Sequence, residues 1–67
     1  MIKCKLRILM AIKEVNQKEL SEATGIRPNT ISGYVNNTYT TINKDHLEIL
    51  CNFFECSVED IFENVKE

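Results

Sequence analysis

The chain has no tryptophan, one proline and two glycines in 67 residues, which excludes a collagen-like or Gly/Pro-rich disordered chain. Long apolar runs are missing too. The longest, Ile8 to Ile12, falls far short of the roughly 20 residues that span a bilayer, and no secretory core is present, so no membrane partner is expected. Cysteine is sparse and odd in number. Cys4, Cys51 and Cys56 do not make a disulfide framework, and a reducing, cytoplasmic setting is expected. Four residues separate Cys51 from Cys56, with only His46 nearby, which is poor spacing for zinc; the three thiols read as small buried hydrophobes. Length sets the last exclusion. A chain this short buries only about 60% of its unfolded surface, which leaves room for one domain, residues 1–67, and none for a large catalytic cleft.

An excess of basic charge is also lacking. Eight Lys and Arg against ten Asp and Glu give a net charge of -2, which as a total argues against a polyanionic partner. The total conceals a split. Residues 1–42 carry Lys3, Lys5, Arg7, Lys13, Lys18 and Arg27 against three glutamates, a net of +3, whereas residues 43–67 carry two lysines against seven acids, a net of -5. One end suits a polyanion and the other does not.

What is present is helical periodicity. Ile2, Leu6, Leu9, Met10 and Lys13 share one face and predict a first helix over about residues 3–13. Asn16 caps a second, with Glu19 as its capping-box partner and Val15 placed to staple onto Leu20; Gly25 stops it. Pro28 suits the first turn of a third helix whose inner face is Ile31 with Tyr34 or Val35. Asn36 and Asn37 close that helix, and Thr38 to Thr41 read as an extended loop. Asn43 caps a fourth helix, carrying Leu47, Leu50, Cys51 and Phe54 to about Glu55. Ser57 with Asp60 starts a fifth, offering Val58, Ile61, Phe62 and Val65 to the core. Five helices and no strand predict an all-α domain.

The informative segment is residues 16–37, in which a capped helix, a glycine turn and a proline-started helix follow one another closely. Helices joined so tightly cross steeply and need small side chains at the crossing, which Ser21 and Gly25 supply. Leu20, Ile26 and Ile31 lock the crossing. This is the specification of a helix-turn-helix, spanning about residues 17–36. The outward face of its second helix, Asn29, Thr30, Ser32 and Gly33, is small, polar and uncharged, a pattern that a merely solvated face fits equally well.

Here the chain resembles the lambda-repressor/Cro-like helix-turn-helix domains, the XRE family of bacterial and phage regulators, over nearly its whole length. The resemblance rests on Leu6-x-x-Leu9-Met10, Val15-Asn16-Gln17-Lys18-Glu19-Leu20, Thr24-Gly25-Ile26 and Pro28-Asn29-Thr30-Ile31-Ser32 in order. Asn36-Asn37, Leu47-x-x-Leu50-Cys51 and Asp60-Ile61 complete it. It implies a sequence-specific regulator of transcription, most simply a repressor, that binds double-stranded DNA. Gln17 would hold a phosphate with Lys18 beside it, while Pro28, Asn29, Thr30, Ser32 and Gly33 would form the recognition stretch. Asn36, Asn37 and Thr38 would grip the DNA backbone. Asn29 is the first choice for a base contact, because an amide pairs bidentately with adenine. Arg27 stands where the family has a capping Ser or Thr, and an arginine there is placed for phosphate or guanine. Ser21 replaces the usual alanine, at little cost in size. The loop from Thr38 to Thr41 lacks the basic residues often found there, so the electrostatic part of binding should be modest.

Other features read more plainly. Tyr34 belongs to the core; Tyr39 suits either phosphate or packing; His46 suits the surface or a cap. Ile8, Ile12 and Ile49 lie off the core stripes and form a candidate surface for a homodimer or partner. No cofactor or small-molecule ligand is implied, and no paired carboxylates, phosphate loop or Ser/His/Asp order suggests an enzyme. The competing function is a protein-interaction or antitoxin-like module using the acidic C-terminal helices.

Overall fold

Five helices stand in the predicted order in the computed structural model, which describes residues 1–66. They are α1 (Leu6–Lys13), α2 (Gln17–Thr24), α3 (Pro28–Val35), α4 (Lys44–Phe54) and α5 (Val58–Ile61). Each contributes one fully buried side chain: Leu6, Leu20, Ile31, Leu50 and Ile61 in turn. Burying such a side chain stabilises the fold by roughly 1.5–3 kcal/mol, so the five helices share one core. Met10, Ile26, Tyr34, Val35 and Cys4 extend it.

The expectation of no strand does not hold. Ile2–Cys4 form β1 and Phe62–Asn64 form β2, an antiparallel pair with Lys3 opposite Glu63 and Cys4 opposite Phe62. The ladder runs beyond both strands, through Lys5 N–H to the Ile61 carbonyl (2.6 Å) and Val65 N–H to the Met1 carbonyl (2.7 Å). Consequently the first helix begins at Leu6 rather than near residue 3. The backbone N–H groups of Cys4 and Lys5 are satisfied across the chain, and Lys5 offers no side-chain cap. Ile2, assigned by periodicity to the helical stripe, is half exposed in β1 instead. Phe62 likewise belongs to β2, and Val58 faces solvent because the single turn of α5 buries only Ile61.

Asn37 fastens this ribbon. Its backbone sits in the left-handed region (φ 57°), and its side-chain Oδ1 accepts from Cys4 N–H at 2.7 Å while Nδ2 donates to the Cys4 carbonyl at 3.4 Å. The amide thus occupies the outer edge of β1 as a neighbouring strand would. Tyr39 adds a second fastening, its hydroxyl donating to the Ile2 carbonyl at 3.1 Å. The rings of Tyr34, Tyr39 and Phe62 meet edge-to-face with centroids 5.6–6.0 Å apart, so Tyr39 packs on the domain and Tyr34 lies in the core. The Tyr34 hydroxyl accepts from Asn43 N–H and lies 3.3 Å from His46 Nδ1, giving His46 a structural role at the start of α4.

Candidate nucleic-acid interface

Local chemistry sets the angle between α2 and α3. Asn16 Oδ1 accepts from Glu19 N–H (2.7 Å) and Glu19 Oε1 accepts from Asn16 N–H (3.0 Å), closing the predicted capping box. At the other end Gly25 adopts φ 77°, where a side chain would be strained, and its N–H donates to the Ser21 carbonyl. Ser21 does more than keep the crossing small: its hydroxyl donates to the Ile26 carbonyl at 2.6 Å. Thr24 Oγ1 donates to the Leu20 carbonyl (2.7 Å) and accepts from Ile26 N–H (3.3 Å). Two hydroxyls therefore tie the turn, a role that size alone does not reveal.

Arg27 holds an extended N-cap conformation without a side-chain cap bond, and its carbonyl accepts from Thr30 and Ile31 N–H. Pro28 follows at the first helical position. Ile31, Tyr34 and Val35 are buried, which leaves Arg27, Pro28 and Asn29 exposed and Thr30, Ser32 and Gly33 half-buried along the opposite side. Asn29, Thr30 and Gly33 line a polar groove with Thr38, Tyr39, Thr40 and Thr41. A Cβ on Gly33 would meet only Thr38 Oγ1 at 3.9 Å and Tyr39 N at 4.0 Å, so the fold itself does not require glycine there.

The remaining site residues divide. Gln17, half-buried, and Lys18, exposed, open α2, where the first-turn N–H groups favour an anion. Asn36 is exposed, with Nδ2 donating to Ser32 Oγ and Oδ1 accepting from Arg7 Nη2 at 3.1 Å. The side chain of Asn37 is spent on Cys4, and Thr38 N–H on the Gly33 carbonyl. Arg7 was not among the residues singled out in the sequence; nothing in its neighbours distinguishes it there from a solvated charge.

Folding also rearranges the charge. The ribbon sets Lys3 opposite Glu63, and Lys5 lies near Asp60, so the acidic C-terminal segment is not wholly apart from the basic half. Lys13 Nζ lies 4.9 Å from the centre of the Phe53 ring on α4. Lys18 and Arg27 stand exposed at the starts of α2 and α3, and Lys3, Lys5 and Arg7 line one concavity with Asn36 and Asn37 at the end of α3. Ile8, Ile12 and Ile49 are exposed as expected, and Met1, Ile2, Ile42 and Val58 join them. Among the described residues no group of three His, Cys, Asp or Glu could hold a metal, and no helix is long and apolar enough to cross a membrane. Burial pushes the thiols of Cys4 and Cys56 up, away from the reactive thiolate form.

A family model described as the Cro/C1-type HTH DNA-binding domain matches residues 5–67, everything from the residue before α1 onward. Among curated proteins no match was found.

Proposed function

The chain belongs to the Cro/C1-type HTH DNA-binding family, and on that premise we propose that it is a sequence-specific regulator of transcription, a repressor acting by occupancy of double-stranded DNA. In this reading α2 and α3 are the helix-turn-helix, and α3 enters the major groove by its N-terminal end. The observation that carries it is the division of α3: Ile31, Tyr34 and Val35 anchor one side in the core, while Arg27, Pro28 and Asn29 stand free on the other.

Asn29 reads a base through its amide, Arg27 meets guanine or phosphate, and Thr30 and Ser32 supply hydroxyls. Gly33 admits the backbone of the duplex closely. Gln17 and Lys18 hold phosphate at the start of α2, with Thr38 at the far end of α3, where the Asn36 amide is engaged by Arg7 and Ser32. Asn37 serves this surface indirectly, by fixing the loop that follows α3. A homodimer through Ile8, Ile12 and Ile49 would place two α3 helices about 34 Å apart on a two-fold site.

Random-site selection followed by salt titration tests the proposal. Asn29→Ala should lose about 1–3 kcal/mol at one base position. Gln17→Ala should weaken binding to all sequences alike. If no duplex is enriched, the DNA reading falls and a protein partner for the acidic helices takes its place.

A further inference from the structure

Arg7 is the second residue of α1, outside both the helix pair and the recognition stretch. Its guanidinium does not hang freely in solvent: Nη2 donates to Asn36 Oδ1 at 3.1 Å, and Asn36 Nδ2 in turn donates to Ser32 Oγ at 3.1 Å. A guanidinium only donates, so the amide must present its oxygen to Arg7 and its nitrogen to Ser32. The relay ties α1 to the outer side of α3.

The chemistry of the tether matters. A carboxylate partner would neutralise the arginine; a neutral amide holds it in place and leaves its charge and its other donors unspent. Lys3 stands opposite Glu63 in the ribbon and Lys5 near Asp60, and both line a concavity with Arg7, Asn36, Asn37 and Glu63. Arg7 also shares a concavity with Asn16 and Gln17, floored by Met10, Ala11, Val15 and Val35. The concavity is mostly apolar, with Arg7, Asn16 and Gln17 as its polar lining.

We propose that Arg7 is a phosphodiester-binding residue, so that the DNA interface extends from α2 and α3 onto α1, with Asn36 as its positioning residue. This rests on the DNA-binding reading above. Arg7 recognises the backbone phosphate between itself and Gln17 and carries no base information.

The test compares full-length wild type with Arg7→Gln, Arg7→Lys and Asn36→Ala on the selected duplex and its single-base variants, each across a salt series. Arg7→Gln should bind about tenfold more weakly at 0.1 M salt, uniformly over all base variants, with a salt slope smaller by about one ion. Arg7→Lys should restore the slope. Asn36→Ala should keep the slope while losing less affinity, since the charge remains and only its placement is lost. A duplex carrying one neutral methylphosphonate at the contacted position should penalise wild type more than Arg7→Gln, in which only the Gln17 contact to that phosphate remains to be lost. Thermal midpoints report separately on folding, and that of Arg7→Gln should stay near wild type, because the side chain is exposed. If Arg7→Gln matches wild type in affinity and slope, or loses affinity at one base position only, the assignment is wrong. An affinity loss with unchanged slope and a lowered midpoint would make the relay purely structural and overturn it as well. If wild type selects no duplex at all, the DNA reading fails and Arg7 has no phosphate to bind.

Discussion

The unit formed by α2, its turn and α3 and the ribbon formed by β1 and β2 are held by opposite means. In the first, Asn16 bonds Glu19, Ser21 bonds Ile26 and Thr24 bonds Leu20, all within five residues. In the second, Ile2 faces Asn64 and Lys3 faces Glu63, with Asn37 reaching back to Cys4 from mid-chain. Short-range ties bind the turn between the two helices, whose Leu20 and Ile31 pack into the core shared with the other three. Long-range ties fix the positions of α1 and the loop after α3, which frame that pair. The surface proposed to meet DNA therefore depends on both, but on each for a different property.

The comparison breaks first at Asn37. Asn37→Gly keeps the left-handed backbone while stranding the Cys4 N–H and carbonyl, and should cost about 2 kcal/mol in urea unfolding. Hydrogen exchange should then quicken in the ribbon and leave α2 and α3 protected. Loss of protection in both would show that the two regions are one cooperative unit. Ser21→Ala probes the other side. Removing the hydroxyl bonded to Ile26 should cost about 1 kcal/mol, and the exchange change should centre on the turn. Gly33→Ala sharpens the contrast by separating fold from function. The added methyl fits, so stability should rise by up to about 1 kcal/mol in the same urea assay, while affinity for the selected duplex falls.

The smallest effect concerns acid. Ser57 N–H and hydroxyl donate to Asp60 Oδ2 at 3.0 and 3.1 Å, and with Lys5 nearby they hold that carboxyl below the usual carboxylate range. A folded-state value below the unfolded one means the contribution is present above the ordinary carboxylate range and is lost as pH falls through the folded value. Unfolding curves of wild type and Asp60→Asn should accordingly differ at neutral pH, begin to converge as pH falls past about 4, and meet only below the lowered folded-state value.

The two regions also differ in how plainly the residues announced them. Asn16 with Glu19, Gly25, Pro28, Asn43 and Ser57 with Asp60 are start and stop signals acting within four residues, and the helix boundaries they imply agree with the structure closely. Ile2-Lys3-Cys4 and Phe62-Glu63-Asn64 carry no such signal. Each prolongs a helical stripe, and only their meeting across the whole chain makes them strands. The same holds for the site. The outer face of α3 was legible because an apolar face defined it by exclusion. The engagement of Asn37 with Cys4 and the tethering of Arg7 were not, because each depends on a partner about thirty residues away.

One consequence of the ribbon concerns time. The contacts within α2 and α3 join neighbours and can form as soon as that stretch of chain exists. Pairing Ile2 with Asn64 must close a loop of about sixty residues, an entropic cost that grows with the logarithm of loop length and is met only after the helices have shortened the path. During synthesis β1 emerges first and waits for β2 to follow every helix out. Until then Cys4 lacks its antiparallel partner, and Phe62 has not yet joined Tyr34 and Tyr39. The ribbon that frames the helix pair is thus the last contact the chain can complete.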